Sequence, residues 1–110
     1  MSTLAPVSHA ATLARIGHAL SDATRVGILL ALREKPAFPS DLADELNVSR
    51  QVMSNQLACL RGCGLVEAEP EGRRSRYRIG NEHLAAALDE LAKVALHPSK
   101  DCCEGPACTC

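Results

Sequence analysis

Apolar positions recur with helical spacing in five parts of the chain and alternate with polar positions in a sixth. The second helix is predicted after a cap at Ser21 or Asp22, and its apolar residues 26–32 leave almost no polar face, so we expect it at the centre of the fold. Two prolines make residues 35–39 a loop, after which Ser40 or Pro39 opens a short helix. The other predicted helices cover residues 8 to 20, 41–46, 50 to about 63, and 81 to about 96.

The alternating stretch predicts a β-hairpin, because residues 65–69 and 75–79 flank a Pro-Glu-Gly turn at residues 70–72. The short helix, a tight turn over residues 47–49 and the longer helix after it form a helix-turn-helix, to which the hairpin adds a wing. We therefore predict a mainly α fold with a β-hairpin, a winged helix-turn-helix with extra N- and C-terminal helices. This single domain covers residues 1–98, and a flexible, cysteine-rich tail follows at residues 99–110.

The size of the chain suggests that it works as a homodimer. With 110 residues and 2% aromatic residues, its core has to be aliphatic, and so small a domain leaves much apolar surface uncovered. The last predicted helix carries a leucine stripe for which the chain offers little other cover. The predicted dimer contacts are Leu13, Leu84, Leu88 and Leu91.

The charge distribution distinguishes one region of a nearly neutral chain. The formal net charge is −1, yet residues 50–79 hold six arginines against three glutamates, and the remainder is acidic. A local basic surface on a neutral protein is typical of a protein with one DNA-facing side.

On a helical wheel, the helix that starts at residue 50 separates into three faces, of which Met53, Leu57 and Leu60 form the core stripe. Polar side chains that can bond base edges or phosphates fill the adjoining arc: Arg50, Gln51, Ser54, Asn55 and Arg61. The hairpin adds arginines suited to the DNA backbone or minor groove: Arg73, Arg74, Arg76 and Arg78. A solvated helix face is the alternative, but the preceding turn and the basic hairpin favour double-stranded DNA as the partner.

Two cysteines occupy the third face of that helix. Cys59 and Cys63 are one turn apart, so both thiols can approach a single ion. A lone cysteine is more often a small buried hydrophobic residue, but a pair away from the core stripe favours metal binding. Four more cysteines crowd the last nine residues: Cys102, Cys103, Cys108 and Cys110.

The first twenty residues do not follow the pattern of a secretory signal, because Arg15 and His18 interrupt their apolar residues. No stretch is apolar over the length of a membrane span. We therefore expect a cytoplasmic protein without a membrane partner. In a reducing cytosol, thiols more often bind metal or carry out redox chemistry than form structural disulfides.

Several motifs together resemble the ArsR/SmtB family of metal-sensing repressors, over about residues 10–96. They lie at residues 22–29, 42–46, 52–60, 64–66 and 71–77. Residues 54–66 are also similar to the cadmium/lead-sensing branch of this family. The resemblance implies that Cys59 and Cys63 bind an ion together with a cysteine from the partner protomer's C-terminal region, with Cys102 the nearest candidate and Cys103 the next.

Three thiolates without nitrogen or oxygen ligands suit the soft ions Cd(II), Pb(II) and As(III), whereas Zn(II) prefers a fourth ligand, which another tail cysteine could supply. The Cys-x-Cys pair of other family members is absent, and His83 and His97 do not reproduce the family's zinc-sensing ligand set. These histidines are expected at the surface. Cys102 and Cys103 with Cys108 resemble an arsenite site found at the C-terminus of some members, so two kinds of inducer stay open.

The sequence therefore predicts a metal-responsive transcriptional repressor that binds operator DNA as a dimer and is released by Cd(II) or Pb(II) bound to cysteine thiolates. The alternatives on the same fold are an arsenite-responsive repressor that uses the tail cysteines, with Zn(II) also open as the ion, and a repressor switched by thiol oxidation. An enzyme is not expected, because the chain has no Cys-x-x-Cys motif on a βαβ pattern and no histidine placed as a base partner. A thiol buffer or metallochaperone would leave the basic hairpin unexplained.

Overall fold

The computed structural model describes residues 8–97, which form five helices and one two-stranded sheet. In chain order these are α1 (His9–Ala19), α2 (Ala23–Glu34), α3 (Pro39–Leu46), α4 (Arg50–Gly62), β1 (Val66–Glu71), β2 (Arg74–Ile79) and α5 (Glu82–Leu91). This order confirms the predicted winged helix-turn-helix with a helix added at each end. Within the same residues, no helix is both long and apolar enough to cross a membrane.

Side-chain caps explain where four of these helices begin. The residue before α1, α2, α4 and α5 accepts a first-turn backbone N–H with its side-chain oxygen, and these caps are Ser8, Asp22, Ser49 and Asn81. The third helix begins instead with Pro39, whose missing N–H would have no partner in a first turn anyway. The predicted helix starts therefore agree closely with the observed ones.

The core is aliphatic and includes the inner face of α2, as predicted. Its fully enclosed large side chains come from α2, α3 and α4, and they are Ile28, Leu29, Leu42, Met53, Leu57 and Leu60. The core stripe predicted for α4 is thus confirmed. Because close packing fixes the inner face of α4, its outer face is presented at a constant orientation.

The hairpin has a tighter turn than predicted. Pairing runs from Val66 opposite Ile79 to Glu71 opposite Arg74, so the turn is Gly72-Arg73 and not residues 70–72. Gly72 has a φ of +67°, which the first position of a two-residue hairpin turn requires and which glycine adopts without strain.

A β-bridge fixes the wing to the loop before α3. Tyr77 donates its backbone N–H to the Ala37 carbonyl at 2.8 Å and accepts the Ala37 N–H at 3.0 Å. The wing is therefore held beside the helix-turn-helix along β2 as well as through its two chain connections.

The last helix is shorter than predicted, since it ends at Leu91 instead of near residue 96. Lys93 and Val94 donate to carbonyls three residues back, which is the tighter geometry common at helix ends. Residues 91–97 are all exposed, so burial within the protomer does not support further turns.

The leucine stripe of α5 is also more covered than predicted. Leu84 and Leu88 are 9% and 4% exposed and belong to the protomer's own core. The expectation that these two side chains find little cover within one chain is wrong, because they pack onto the helix-turn-helix core. Leu13 and Leu91, by contrast, are 65% and 53% exposed.

Candidate nucleic-acid interface and thiol pair

A left-handed residue sets the turn between α3 and α4. Asn47 has φ 55° and ψ 48°, and the Val48 N–H after it donates back to the Ala43 carbonyl at 3.0 Å. Asparagine tolerates this conformation better than most residues. Ser49 then caps α4, so the helix begins at the surface, immediately after the turn.

The polar arc predicted on α4 is exposed to solvent along its whole length, at Arg50, Gln51, Ser54, Asn55 and Arg61. Gln51 Nε2 donates to Asn55 Oδ1 at 3.0 Å, one helical turn away. The Asn55 amide nitrogen and the Gln51 carbonyl oxygen have no hydrogen-bond partner among the described residues, and side-chain amides can bond an adenine edge.

The wing arginines divide into two kinds. Arg76 forms a two-pronged ion pair with Glu71, at 2.9 and 3.0 Å, and Arg78 pairs with Glu67 at 3.1 Å and with Glu69 at 3.5 Å. Arg73 and Arg74 are exposed and have no carboxylate partner among residues 8–97. The basic stripe predicted from the arginine count is therefore partly neutralised within the hairpin itself.

Phe38, which the sequence did not single out, organises the base of the wing. The Arg74 guanidinium lies 3.6 Å from its ring centroid and that of Arg76 lies 4.7 Å from it. Arg74 also donates to Ser40 Oγ at 3.3 Å. Phe38 is the one phenylalanine in the chain, and its isolation among aliphatic residues is the signal that could have identified it.

Two half-buried thiols lie at the far end of α4. Cys59 is in its last turns, and Cys63 is the C-cap residue, whose N–H donates to the Cys59 carbonyl at 3.1 Å. Cys63 also packs against the core, which limits its movement. The pair is thus presented from the same rigid helix as the polar arc.

The chain beyond Cys63 closes α4 with two further backbone hydrogen bonds. Leu65 donates to the Leu60 carbonyl and Gly64 donates to the Arg61 carbonyl, both at 3.0 Å, which is the Schellman pattern. Gly64 supplies the left-handed residue that this pattern needs, with φ +80°. The second thiol is therefore placed by a defined helix end.

The donor set suits a soft metal ion but is incomplete. Two thiols one turn apart can bind one thiophilic cation, so Cys59 and Cys63 fit the predicted chemistry. Within residues 8–97, no group of three His, Cys, Asp or Glu side chains is placed to hold a metal ion. Cys102 and Cys103, predicted to supply further thiolates, lie outside the described residues.

A cavity of about 400 Å³ adjoins Cys63 and is walled by α1 and α5, including Ile16 and Leu84. A further ligand can therefore reach Cys63 from the side of the molecule on which the two terminal helices lie. His83 also lines this cavity, and both His83 and His97 are exposed, as predicted.

Exposed apolar side chains lie on α1 and at or just beyond the end of α5. In α1 only Ala19 is buried, while Leu13 is open to solvent. Leu91, Val94 and Leu96 are likewise exposed at 53%, 56% and 77%. Apolar side chains with so little cover in one protomer are suited to packing against a second one.

Comparisons with known proteins agree with this geometry. The model of the family described as bacterial regulatory protein, arsR family, matches residues 22–68. The HTH-type transcriptional regulator CmtR of Mycobacterium tuberculosis is 51% identical over 89 residues, which cover 81% of this chain and 75% of that protein.

Solved structures give the same result. The NMR structure of the cadmium metal-sensor CmtR from Mycobacterium tuberculosis is similar with a TM-score of 0.65 and 50% identity, covering 80% of this chain and 92% of that one. A homodimeric winged helix-turn-helix DNA-binding domain from Mycobacterium bovis gives a TM-score of 0.72 with 30% identity, covering 84% and 87%. The chain therefore belongs to the arsR family of bacterial regulatory proteins, and it is a transcriptional regulator rather than an enzyme.

Proposed function

We propose that this regulator is a repressor that binds operator DNA as a homodimer and is released when Cd(II) or Pb(II) binds its cysteine thiolates. The observation that carries the proposal is that one helix, α4, holds both the exposed polar arc and the Cys59–Cys63 pair. The similarity to a structure described as a cadmium metal-sensor supports cadmium as an inducer.

In the DNA-bound state, α4 lies in the major groove with Ser54 and Asn55 towards the base edges. The wing follows the backbone beside it. A dimer places two such helices on half-sites about 34–36 Å apart, so the operator is expected to be pseudo-palindromic. Leu13 and Leu91 lie in the dimer contact, and Leu84 and Leu88 support that face from the core of each protomer.

In the metal-bound state, Cys59 and Cys63 supply two thiolates and the partner's tail supplies the third, with Cys102 first and Cys103 second as candidates. Holding both thiols to the partner's tail constrains the end of α4 relative to the second protomer. A coupling free energy of about 1–3 kcal/mol between the two sites would weaken DNA binding several-fold to about a hundredfold.

A polar contact offers a path for this coupling. Arg25 donates from Nε to the Ala19 carbonyl at the end of α1 and from Nη1 to Gln56 Oε1 of α4, both at 3.0 Å. Gln56 lies between Asn55 of the polar arc and Cys59 in the sequence. Arg25 therefore links α4, which carries the base contacts, to the end of α1, which carries the proposed dimer contact Leu13. A movement of α4 relative to α1 would change the position of the base-contacting side chains.

The choice of inducer depends on which thiols work. If Cys59 and Cys63 form the working site, Cd(II) or Pb(II) is the inducer, whereas a site made only from Cys102, Cys103 and Cys108 favours As(III). Zn(II) would need a fourth ligand from the tail. A repressor switched by thiol oxidation would respond to an oxidant and not to any of these ions. The expected compartment is the cytoplasm, where thiols stay reduced.

Titration of the reduced protein on its operator with Cd(II), Pb(II), As(III) and Zn(II) tests the proposal. Fluorescence anisotropy of the DNA reports release, and sulfur-to-metal charge-transfer absorption reports thiolate binding. Release by Cd(II) or Pb(II) with matching absorption supports it. Release by As(III) alone, or only by an oxidant, would favour one of the two alternatives instead.

A further inference from the structure

A cavity of about 310 Å³ opens where α3, α4 and the wing meet, and we call it the junction pocket. It is lined by Pro39, Ser40, Arg50, Arg74 and Ser75. These residues come from the first turn of α3, the first turn of α4 and the start of β2. Its lining contains two guanidinium groups, two hydroxyls and no carboxylate.

The two arginines of the junction pocket keep their charge uncompensated. Neither Arg50 nor Arg74 has an ion-pair partner in the part of the chain that the structure describes, whereas Arg76 and Arg78 are both paired with glutamates of β1. Two unpaired guanidinium groups lining one pocket repel each other, and an anion between them would remove that cost.

Arg74 is also held in place before any ligand arrives. Its guanidinium stacks on the Phe38 ring at 3.6 Å and donates to Ser40 Oγ at 3.3 Å. Because Ser40 accepts this bond, its own hydroxyl hydrogen stays available for an anion. Arg76 stands farther from the same ring, at 4.7 Å, and its charge is paired with the Glu71 carboxylate.

We propose that the junction pocket binds one phosphate of the DNA backbone, held by Arg50 and Arg74 together, and that this contact fixes how α4 enters the major groove. The inference rests on the proposed DNA binding and assigns its backbone anchor. Phe38 and Ser40 are positioning residues that orient Arg74. Arg76 stabilises the wing through Glu71 and makes no phosphate contact of its own.

Mixed-sequence duplex DNA is the appropriate probe, because a backbone contact does not depend on the operator. Affinity is measured by fluorescence anisotropy over a series of salt concentrations. Each phosphate contact contributes about 0.9 to the slope of log affinity against log salt. Arg50→Gln and Arg74→Gln should each lower that slope by about 1, and the double variant should lose little more than either single variant, since both side chains hold one phosphate.

Three further variants separate charge from position. Arg76→Gln is the matched control on the same strand and should leave the slope unchanged. Arg74→Lys keeps the charge and should keep the slope while losing affinity severalfold. Phe38→Leu should behave like Arg74→Lys, because it releases the Arg74 guanidinium from its stack without removing its charge. Urea unfolding of each variant shows that the fold is retained.

The outcomes distinguish this proposal from the one on which it rests. If the wild-type protein binds no duplex DNA, the proposed function fails. If the wild type binds but Arg74→Gln keeps the full salt slope, or Arg76→Gln lowers it equally, the junction pocket is not the phosphate site and the repressor proposal still stands. If the slope reductions of Arg50→Gln and Arg74→Gln added up in the double variant, the two arginines would contact two separate phosphates. That result would overturn the proposal that they bind one phosphate together.

Discussion

At its first turn α4 presents Arg50 beside the wing, whereas at its last turn it presents Cys59 and Cys63, the latter beside α1 and α5. The first end is assembled within one protomer, because α3, α4 and β2 together supply its groups. The last end offers two thiols and, within residues 8–97, no third metal ligand. In the proposed mechanism, DNA contact therefore depends on a surface that one chain builds, while the metal response depends on a third thiolate from the partner's tail.

Breaking the dimer is expected to have the largest effect, since it should disable both ends of α4. Leu13→Glu and Leu91→Glu alter side chains that are 65% and 53% exposed, so each protomer should stay folded while the apolar face can no longer pair. Losing the link between two half-sites should weaken operator binding by about 10²- to 10⁴-fold. Sedimentation velocity and anisotropy measure the two effects.

Leu88→Ala is the matched control for this prediction. Because Leu88 is 4% exposed within its own protomer, its truncation should lower the free energy of unfolding by about 2–5 kcal/mol in urea. Leu91→Ala should lower it by less than about 0.5 kcal/mol when it is made in the monomeric Leu13→Glu variant, where Leu91 is an exposed position with no dimer contact to lose. A Leu13→Glu variant that still sediments as a dimer would exclude the α1 surface as the contact.

The thiol end is tested next by Cys59→Ser and Cys63→Ser. Each should leave apo DNA affinity nearly unchanged, because neither side chain is part of the polar arc, and should abolish release by Cd(II) or Pb(II). The lost coupling is about 1–3 kcal/mol, which anisotropy with and without the ion detects. Cys102→Ser should act in the same way if the tail supplies the third thiolate. A Cys59→Ser variant that still responds to As(III) would instead assign the sensing to the tail alone.

Asn55→Ala tests the base contacts proposed for the polar arc. Removing an amide that bonds a base edge should cost about 1–3 kcal/mol on the operator and relax its sequence preference. On mixed-sequence DNA the loss should be small, since a base contact contributes little there. His83→Ala, a substitution at an exposed position of α5, serves as the control and should alter the affinity for neither the operator nor mixed-sequence DNA. Equal losses on both DNAs would place Asn55 at the backbone.

Helical periodicity was sufficient to predict two of the three faces of α4. Met53, Leu57 and Leu60 are buried as predicted, and the polar arc is exposed, because a helix of fixed pitch converts sequence spacing directly into direction. The ion pairs of the wing could not be predicted in this way. They depend on strand register, and placing the turn at residues 70–72 instead of at Gly72-Arg73 shifts every cross-strand neighbour.

The sequence pattern also could not predict which α5 leucines are buried within the protomer. A stripe of leucines shows that a helix has an apolar face, but not whether its own domain or a partner covers that face. Leu84 and Leu88 turned inward onto the core, while Leu91 stayed exposed. Likewise, the Phe38 stack joins residues more than thirty positions apart, and no local spacing indicates such a contact.

The smallest expected effects come from the residues that cap the two ends of α4. Ser49→Ala removes the hydroxyl that accepts the Val52 N–H at 3.0 Å, which should cost about 1 kcal/mol of stability. Gly64→Ala places a side chain at φ +80°, which should cost about 1–2 kcal/mol. The two substitutions should lower the free energy of unfolding by similar amounts. Because they lie at opposite ends of α4, one should affect DNA binding and the other metal binding.

Gly64→Ala should displace Cys63 and weaken Cd(II) binding, measured by charge-transfer absorption, while leaving DNA affinity close to that of the wild type. Ser49→Ala should fray the turn that carries Arg50 and lower DNA affinity, while leaving Cd(II) binding intact. Gly62→Ala is the control, because the added Cβ meets nothing within 4 Å, as at Gly64, but φ there is not positive. It should be neutral or stabilising by about 0.5–1 kcal/mol. If Gly64→Ala and Ser49→Ala changed both activities equally, the two ends of α4 would not act independently, and the helix would transmit any disturbance as a single rigid body.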